Sequence, residues 1–283
     1  MPDNPTQYQN RKAIEAFALK YRLSLPERQK ATRIGELAGR KTGSSIEYQD
    51  RRDYVPGDDL RYIDWRAFAR SDRLSIKLYR EEISPRVDIV TDTSLSMDVT
   101  PEKSLRALDL AFLFYLLSLK TNAAVGVYSL GEQLTRIKIP LDLLAMDHTR
   151  QDTPMPLLHA SPMARKGGIK IFISDFLFPF SPGDLVSYFS ASDRLILVQV
   201  LSSFEDDPNP GGTVRLLDAE NSEYLDVALN RATIEGYRKR LAHLKGDMER
   251  KTRLVQGAFV SVRDIDPMEE TVRSLLLNSI IEV

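Results

Sequence analysis

Short apolar runs and longer helical patterns alternate along the second half of the chain, and this alternation restricts the fold more than any other feature. The short runs are rich in Val, Ile and Leu, as buried strands are. They predict strands at 87–91, 123–130, 169–174, 195–201 and 258–262, an antiparallel partner at 134–139, and helices at 102–120 and 184–190 with a short closing helix. Strands joined through helices form parallel sheets with right-handed crossovers. We therefore predict an α/β fold, a doubly wound, mostly parallel sheet with helices on both faces.

The pattern divides the chain into three parts. Residues 1–38 form an N-terminal helical arm, with Ile14, Phe17, Ala18 and Tyr21 at helical spacing and a second helix opened by Pro26. Residues 39–84 mix Arg, Asp and aromatic side chains. Residues 85–283 are the α/β domain, interrupted at about 203–253 by a polar loop, a β-hairpin and a helix.

Composition excludes several classes of function. The 283 residues carry a net charge of −1, so the chain has no overall field that would gather nucleic acid or an anionic membrane. The absence of cysteine excludes disulfides, thiolate metal sites and a cysteine nucleophile. The N-terminus lacks the apolar core of a signal peptide, and the most apolar helical run is too short to span a bilayer. We expect a cytoplasmic protein with no membrane span and no nucleic-acid partner.

Oxygen-bearing side chains follow the first predicted strand of the α/β domain. In the run VDIVTDTSLSM, Asp92, Ser94 and Ser96 stand at alternate positions directly after the strand, and Asp175 ends the strand 169–174. The carboxyl ends of parallel strands are where ligands bind in such sheets. One carboxylate and two hydroxyls are hard ligands of the kind that Mg²⁺ or Mn²⁺ accepts. The spacing predicts a metal site.

Two alternatives to that site remain open. Asp92 can instead cap the following helix while the serines satisfy loop amides. A metal-dependent hydrolase could use the same carboxylates to activate water, with Asp98, Glu102 or Asp152 as its base. Glycine-rich nucleotide-binding motifs are absent, and no convincing catalytic constellation is present. We therefore expect a non-enzymatic protein.

The segment before the α/β domain combines many Arg and Asp residues with Tyr, Trp and Phe, and has a turn at Pro56-Gly57-Asp58. Such a segment could bind single-stranded nucleic acid by stacking and phosphate contacts. Because basic and acidic residues are almost equal in number there, we favour an internal network of Arg–carboxylate pairs with packed aromatic rings.

The second half, with Asp92, Ser94 and Ser96 after a buried strand and Asp175 after a later one, resembles a von Willebrand factor A domain. The resemblance implies a metal-ion-dependent adhesion site, in which these four residues hold Mg²⁺ or Mn²⁺. The family's intervening threonine corresponds best to Thr153, with Thr149 as the alternative, and the small residue usual after the later aspartate is replaced by Phe176.

The first half is similar to the signature of the bacterial domain-of-unknown-function family numbered fifty-eight. The matching pieces lie between Glu47 and Glu82, and the residues that would serve partner binding or structure are Asp58, Asp59, Arg61, Asp64, Trp65, Arg66 and Arg70. Members often occur beside MoxR-type AAA+ ATPases. The resemblance therefore implies an adaptor for an AAA+ ATPase and its client in assembly, chaperoning or cofactor insertion.

Overall fold

The computed structural model describes residues 5–26, 45–82, 85–145, 148–149, 166–189, 191–209, 211–219 and 223–283. The chain divides into two compact units. The larger contains residues 1–24 and 85–283, and the smaller contains residues 25–84.

A six-stranded sheet forms the centre of the larger unit. Its strands are β4 (Arg86–Asp92), β5 (Ala124–Leu130), β6 (Leu134–Ile137), β7 (Ile169–Ser174), β8 (Arg194–Leu201) and β11 (Ala258–Arg263), in the order β11-β8-β7-β4-β5-β6. All neighbours pair in parallel except β5 and β6, which are antiparallel. A hairpin of β9 (Gly212–Leu217) and β10 (Tyr224–Leu229) and a short pair of β1 (Arg22–Leu23) with β12 (Ile281–Glu282) complete the strands of this unit.

Six α-helices in the described part of the larger unit connect and cover these strands. They are α1 (Pro5–Lys20), α3 (Pro101–Lys120), α4 (Pro182–Tyr188), α5 (Ser203–Asp206), α6 (Arg231–Leu254) and α7 (Met268–Leu277). Single 3-10 turns follow β4 at Leu95–Asp98 and β6 at Pro140–Ala145. Among the described residues, no helix combines the length and apolar character needed to cross a bilayer.

Both faces of the central sheet are covered. Every residue of β7 is buried, although neighbouring side chains of a strand point to opposite faces. On one face, Val90, Phe172 and Leu197 join a cluster with Leu185 of α4 and Met248 of α6. The long helix α3 packs on β4, β5, β7 and β8, and α1 packs on α3. The predicted α/β architecture with a mostly parallel central sheet is confirmed.

The strand order has a reversal between β4 and β7. From β4 the chain moves outward to β5 and β6, then returns to the other side of β4 and continues outward through β7, β8 and β11. At such a reversal the connections leave the neighbouring strands in opposite directions, which opens a crevice at their carboxyl ends. Asp92 ends β4 and Asp175 follows β7, so both aspartates lie at this crevice.

The smaller unit is built on a hairpin. Strands β2 (Ser45–Asp53) and β3 (Ser75–Glu82) pair antiparallel, and between them lie a 3-10 turn at Leu60–Tyr62 and helix α2 (Trp65–Ser71). The predicted turn at Pro56-Gly57-Asp58 is confirmed, because the Asp58 amide donates to the Val55 carbonyl at 3.0 Å.

Most predicted elements occur within a few residues of their expected bounds, and there is one correction. The stretch predicted as a polar loop from residue 203 begins with α5. A capping box forms it, in which the Ser202 hydroxyl accepts from the Glu205 amide and the Glu205 carboxylate accepts from the Ser202 amide. The helix predicted after Pro26 falls largely outside the described residues, as does Thr153.

Candidate functional site

The loop after β4 holds Asp92, Ser94 and Ser96 together. The Asp92 carboxylate accepts from the Ser94 amide at 2.9 Å through Oδ1 and from the Ser174 hydroxyl at 2.6 Å through Oδ2. The hydroxyls of Ser94 and Ser96 lie 3.0 Å apart. Helix α3 is capped by Thr100 and not by Asp92, so the alternative role of Asp92 as a helix cap is wrong.

Asp92 is buried and has no ion-pair partner among the described residues. Its residue is 2% exposed, and it makes no ion pair with any residue in the part of the chain that the structure describes. Burial, followed by the negative charge of Asp175, raises the pKa of Asp92 from 3.8 to about 6. A cation placed beside a buried carboxylate stabilises it by more free energy than a cation placed beside an exposed one.

The separation of the two serine hydroxyls suits a small divalent cation. Neighbouring oxygen ligands of an octahedral Mg²⁺ ion at about 2.1 Å from the metal lie about 3.0 Å from each other. The two serine hydroxyls have this separation. Within the described residues no group of three or more His, Cys, Asp or Glu side chains could hold a metal, so the site depends on the serine oxygens.

Asp175, the other predicted metal ligand, pairs with a lysine. Its Oδ2 accepts from the Lys103 ammonium at 3.0 Å, and its Oδ1 accepts from the Leu177 amide at 3.0 Å. Lys103 comes from the first turn of α3 and is fully buried. The structure thus places a lysine ammonium beside the carboxylate that the resemblance assigns to the metal.

Glu205 supplies a second carboxylate to the same ammonium. Its Oε1 accepts from Lys103 Nζ at 2.8 Å, while its Oε2 accepts from the Ser202 hydroxyl at 2.9 Å. The Glu205 carbonyl accepts from the Tyr237 hydroxyl, and burial raises the pKa of that tyrosine to about 12. Burial lowers the pKa of Lys103, but the charges of Asp175 and Glu205 outweigh it and the pKa lies above its usual value.

Lys103 and Glu205 were both missed by sequence reasoning. Lys103 is one of few charged residues in a strongly apolar helix, and this was the available signal. Glu205 had a weaker signal, a Ser-x-x-Glu capping box that begins directly after a buried strand.

Thr149, the alternative threonine, lies beside the loop that follows β4. Its amide donates to the Thr93 carbonyl at 3.0 Å, and its carbonyl accepts from the Leu95 amide at 3.1 Å. The Thr149 hydroxyl accepts from the Glu132 amide at 3.0 Å. Thr153 is outside the described residues.

The large residue after Asp175 has a packing explanation. Phe176 has a φ of 53°, in the left-handed region that few large side chains adopt, and its ring is fully buried. The ring meets those of Phe172 and Phe259 edge to face, and the Phe176 amide donates to the Ser174 hydroxyl at 3.1 Å. These contacts offset the backbone strain.

In the smaller unit, three signature aspartates stabilise local structure. Asp58 accepts from Arg52 at 2.5 and 2.7 Å, and Asp59 pairs with Arg61 and caps the 3-10 turn. Asp64 caps α2 through the amides of residues 66 and 67 and pairs with Arg51 at 3.1 Å. Hydrogen bonds from Arg52, from Arg61 and from the Ala67 amide, respectively, lower the pKa values of the three carboxyls. The predicted network of Arg–carboxylate pairs is confirmed.

The other signature residues leave their side chains at the surface. Trp65 is 61% exposed and contacts Phe68 edge to face, so the expectation that the aromatic rings are packed is wrong for this residue. Arg66 and Arg70 are exposed, and Arg70 donates to the Arg66 carbonyl at 3.1 Å. The Arg61 side chain is 80% exposed.

Comparison with known proteins identifies the family. The sequence model of the family described as "Protein of unknown function DUF58" matches residues 50–249. The chain belongs to this family. The function of the family is unknown.

Similar proteins and solved structures add little about activity. Uncharacterized proteins of Mycobacterium tuberculosis (strain ATCC 25618 / H37Rv) and Mycobacterium bovis are each 23% identical, with 84% of this chain and 81% of theirs covered. Two solved structures are similar over 69% of this chain and 98% of theirs. One is an aerotolerance-related membrane protein from Bacteroides fragilis NCTC 9343, at 16% identity and a TM-score of 0.39. The other is the conserved hypothetical protein BatB from Bacteroides thetaiotaomicron, at 14% identity and a TM-score of 0.34.

Proposed function

We propose that this protein is a non-enzymatic adaptor whose larger unit is von Willebrand factor A-like and binds an acidic side chain of a protein partner. The binding edge is the carboxyl end of the sheet at β4. The partner we propose is a MoxR-type AAA+ ATPase or its client, in assembly, chaperoning or cofactor insertion in the cytoplasm. The observation that carries the proposal is the buried carboxylate of Asp92, which forms no ion pair with a described residue, beside the paired hydroxyls of Ser94 and Ser96.

Each of the three residues has a distinct part in such a site. Asp92 supplies the negative charge, and its bonds to the Ser94 amide and the Ser174 hydroxyl hold the carboxylate in one orientation. Ser94 and Ser96 supply neutral oxygens without further charge. A bound Mg²⁺ or Mn²⁺ would supply a positive charge with open coordination positions that a carboxylate of the partner can fill.

The geometry supports binding better than hydrolysis. Asp98, one candidate for a general base, has a side chain 52% exposed and lies 3.8 Å from His148 Nδ1. Glu102 is exposed in the first turn of α3. Neither Asp98 nor Glu102 has a hydrogen bond to the serine hydroxyls among the contacts between described residues, so neither is placed as a base beside the proposed cation. The third candidate, Asp152, lies outside the described residues.

Capture of a purified MoxR-type ATPase from the same genome tests the proposal. We expect the full chain to bind it in Mg²⁺ and to lose binding in chelator or with Asp92→Ala. Asp98→Ala, which removes an exposed acid of the same loop, is the control and is expected to bind normally. Equal binding by Asp92→Ala would reject the role of the site, and turnover of a phosphoester panel in Mn²⁺ that Asp92→Ala abolishes would favour the hydrolase.

A second candidate is a metal-free scaffold that binds its partner through the smaller unit. The exposed side chains of Arg61 and Trp65 favour it, because arginine and tryptophan are enriched in binding interfaces. Chelator-resistant capture that Trp65→Ala abolishes would support this candidate. Leu225→Ala is a matched control, since Leu225 is 64% exposed on the β9–β10 hairpin.

A further inference from the structure

Lys103 uses its full hydrogen-bonding capacity within the site. Its ammonium donates to the Ser96 carbonyl at 2.8 Å, to Glu205 Oε1 at 2.8 Å and to Asp175 Oδ2 at 3.0 Å. An ammonium has three protons, so each one has an acceptor. The acceptors come from the loop after β4, the end of β7 and the start of α5, so one side chain joins three segments of the crevice.

Asp175 and Asp92 differ in the charge of the groups that donate hydrogen bonds to them. Both oxygens of Asp175 already accept hydrogen bonds, one of them from a full positive charge. Among the described residues, the donors to Asp92 are the uncharged Ser94 amide and Ser174 hydroxyl. A divalent ion placed against Asp175 would be repelled by the Lys103 ammonium, whereas Asp92 offers a charge that no described residue neutralises.

We propose that Lys103 is a built-in cation that neutralises Asp175, so that a divalent ion is held by Asp92, Ser94 and Ser96 without Asp175. This inference rests on the proposed function for the presence of the ion. It assigns Lys103 a positioning role: the lysine limits the ion to one carboxylate from this chain. An ion with one carboxylate ligand keeps net positive charge and attracts the carboxylate of a partner more strongly than an ion with two.

Mn²⁺ titration of the full chain, followed by the EPR signal of free Mn²⁺, tests the assignment. Lys103→Met frees Asp175 and is expected to tighten Mn²⁺ binding at least tenfold. The double variant Lys103→Met/Asp175→Asn removes one charge of each sign and is expected to bind within threefold of the wild type. Asp92→Asn is expected to weaken binding at least thirtyfold.

The double variant decides the question if Lys103→Met does not fold, because the neutral pair no longer leaves the buried Asp175 carboxylate without its cation. Far-UV circular dichroism verifies that each titrated variant is folded. Binding by the double variant that is more than tenfold weaker than wild type would overturn the inference, since Asp175 would then be a ligand. Unchanged affinity in folded Lys103→Met would overturn it as well.

The titration also separates this inference from the proposed function. If the wild type binds no Mn²⁺ but Lys103→Met does, the cation-dependent part of the proposed function and the three-residue ion site fail, and the neutralisation of Asp175 by Lys103 stands. If the wild type binds and Lys103→Met binds equally, the proposed function stands and the role of Lys103 fails. If no folded variant binds Mn²⁺, both fail.

Discussion

Replacing Lys103 with methionine is expected to be among the most destabilising single changes in the larger unit. Methionine keeps an unbranched apolar chain of similar length, so the main loss is the ammonium and its three hydrogen bonds. Asp175 is 1% exposed and is left without a counter-charge, while the 17%-exposed side chain of Glu205 regains part of its hydration. Breaking a buried ion pair by removing one partner costs about 3–5 kcal/mol.

Urea unfolding followed by circular dichroism measures this loss, in chelator so that no metal contributes. For a unit of this size we expect the melting temperature to fall by roughly 6–15 °C as well. Lys245→Met is the matched control. Its ion pair with Asp206 has a similar length of 2.7 Å, but the two side chains are 27% and 25% exposed, and such a pair contributes less than about 1 kcal/mol.

Two results would refute the reasoning. One is a loss below about 1 kcal/mol for Lys103→Met, because a buried unpaired carboxylate costs more than that. The other is additivity in the double-mutant cycle with Asp175→Asn, since residues in one buried ion pair are expected to show a coupling free energy of at least about 1 kcal/mol. We expect Asp175→Asn to recover part of the stability that Lys103→Met loses.

Three further changes test other parts of the structure. The pKa of Asp92 is raised to about 6 in the fold, so its contribution to stability is present at low pH and is lost as the pH rises through 6. In chelator, the free energy of unfolding of Asp92→Asn relative to wild type should therefore increase by about 1–1.5 kcal/mol between pH 5 and 7.5. A decrease would contradict the burial argument. Phe176→Ala removes a fully buried ring and should cost about 3–5 kcal/mol in urea unfolding, whereas a cost near zero would show that the ring does not anchor the turn. Gly126→Ala places a methyl group 2.8 Å from Asp88 Oδ1 and 2.8 Å from the Tyr128 ring and should cost about 1–3 kcal/mol by the same measurement. No change is expected only if both buried side chains can move.

The predictability of the central sheet has a local cause. Each strand of the sheet carries a short run of β-branched and leucine residues, and its flanking polar residues mark the ends. The run 169–174 was therefore predicted with its observed bounds, as Ile169–Ser174. The alternation with helices then restricts the topology to a small number of parallel arrangements.

The proximity of three of the proposed metal ligands was predictable for the same reason. Asp92, Ser94 and Ser96 are close in sequence and follow a recognisable strand, so their proximity needs only local geometry. The pairing of Asp175 was not predictable, because its partner Lys103 lies 72 positions away and its position depends on how α3 packs on the sheet.

The sequence by itself determined the succession of strands and helices along the chain, the family and the oxygen-rich loop after β4. Each of these depends on short stretches of residues whose chemistry acts locally. Only the tertiary structure decided the charge balance of the crevice. It brought the ammonium of Lys103 onto Asp175 and Glu205 and left Asp92 without a cation among the described residues. The physical reason is that the strength and sign of an electrostatic contact depend on distance and burial, which residues far apart in the chain acquire only when the helix and the sheet pack together.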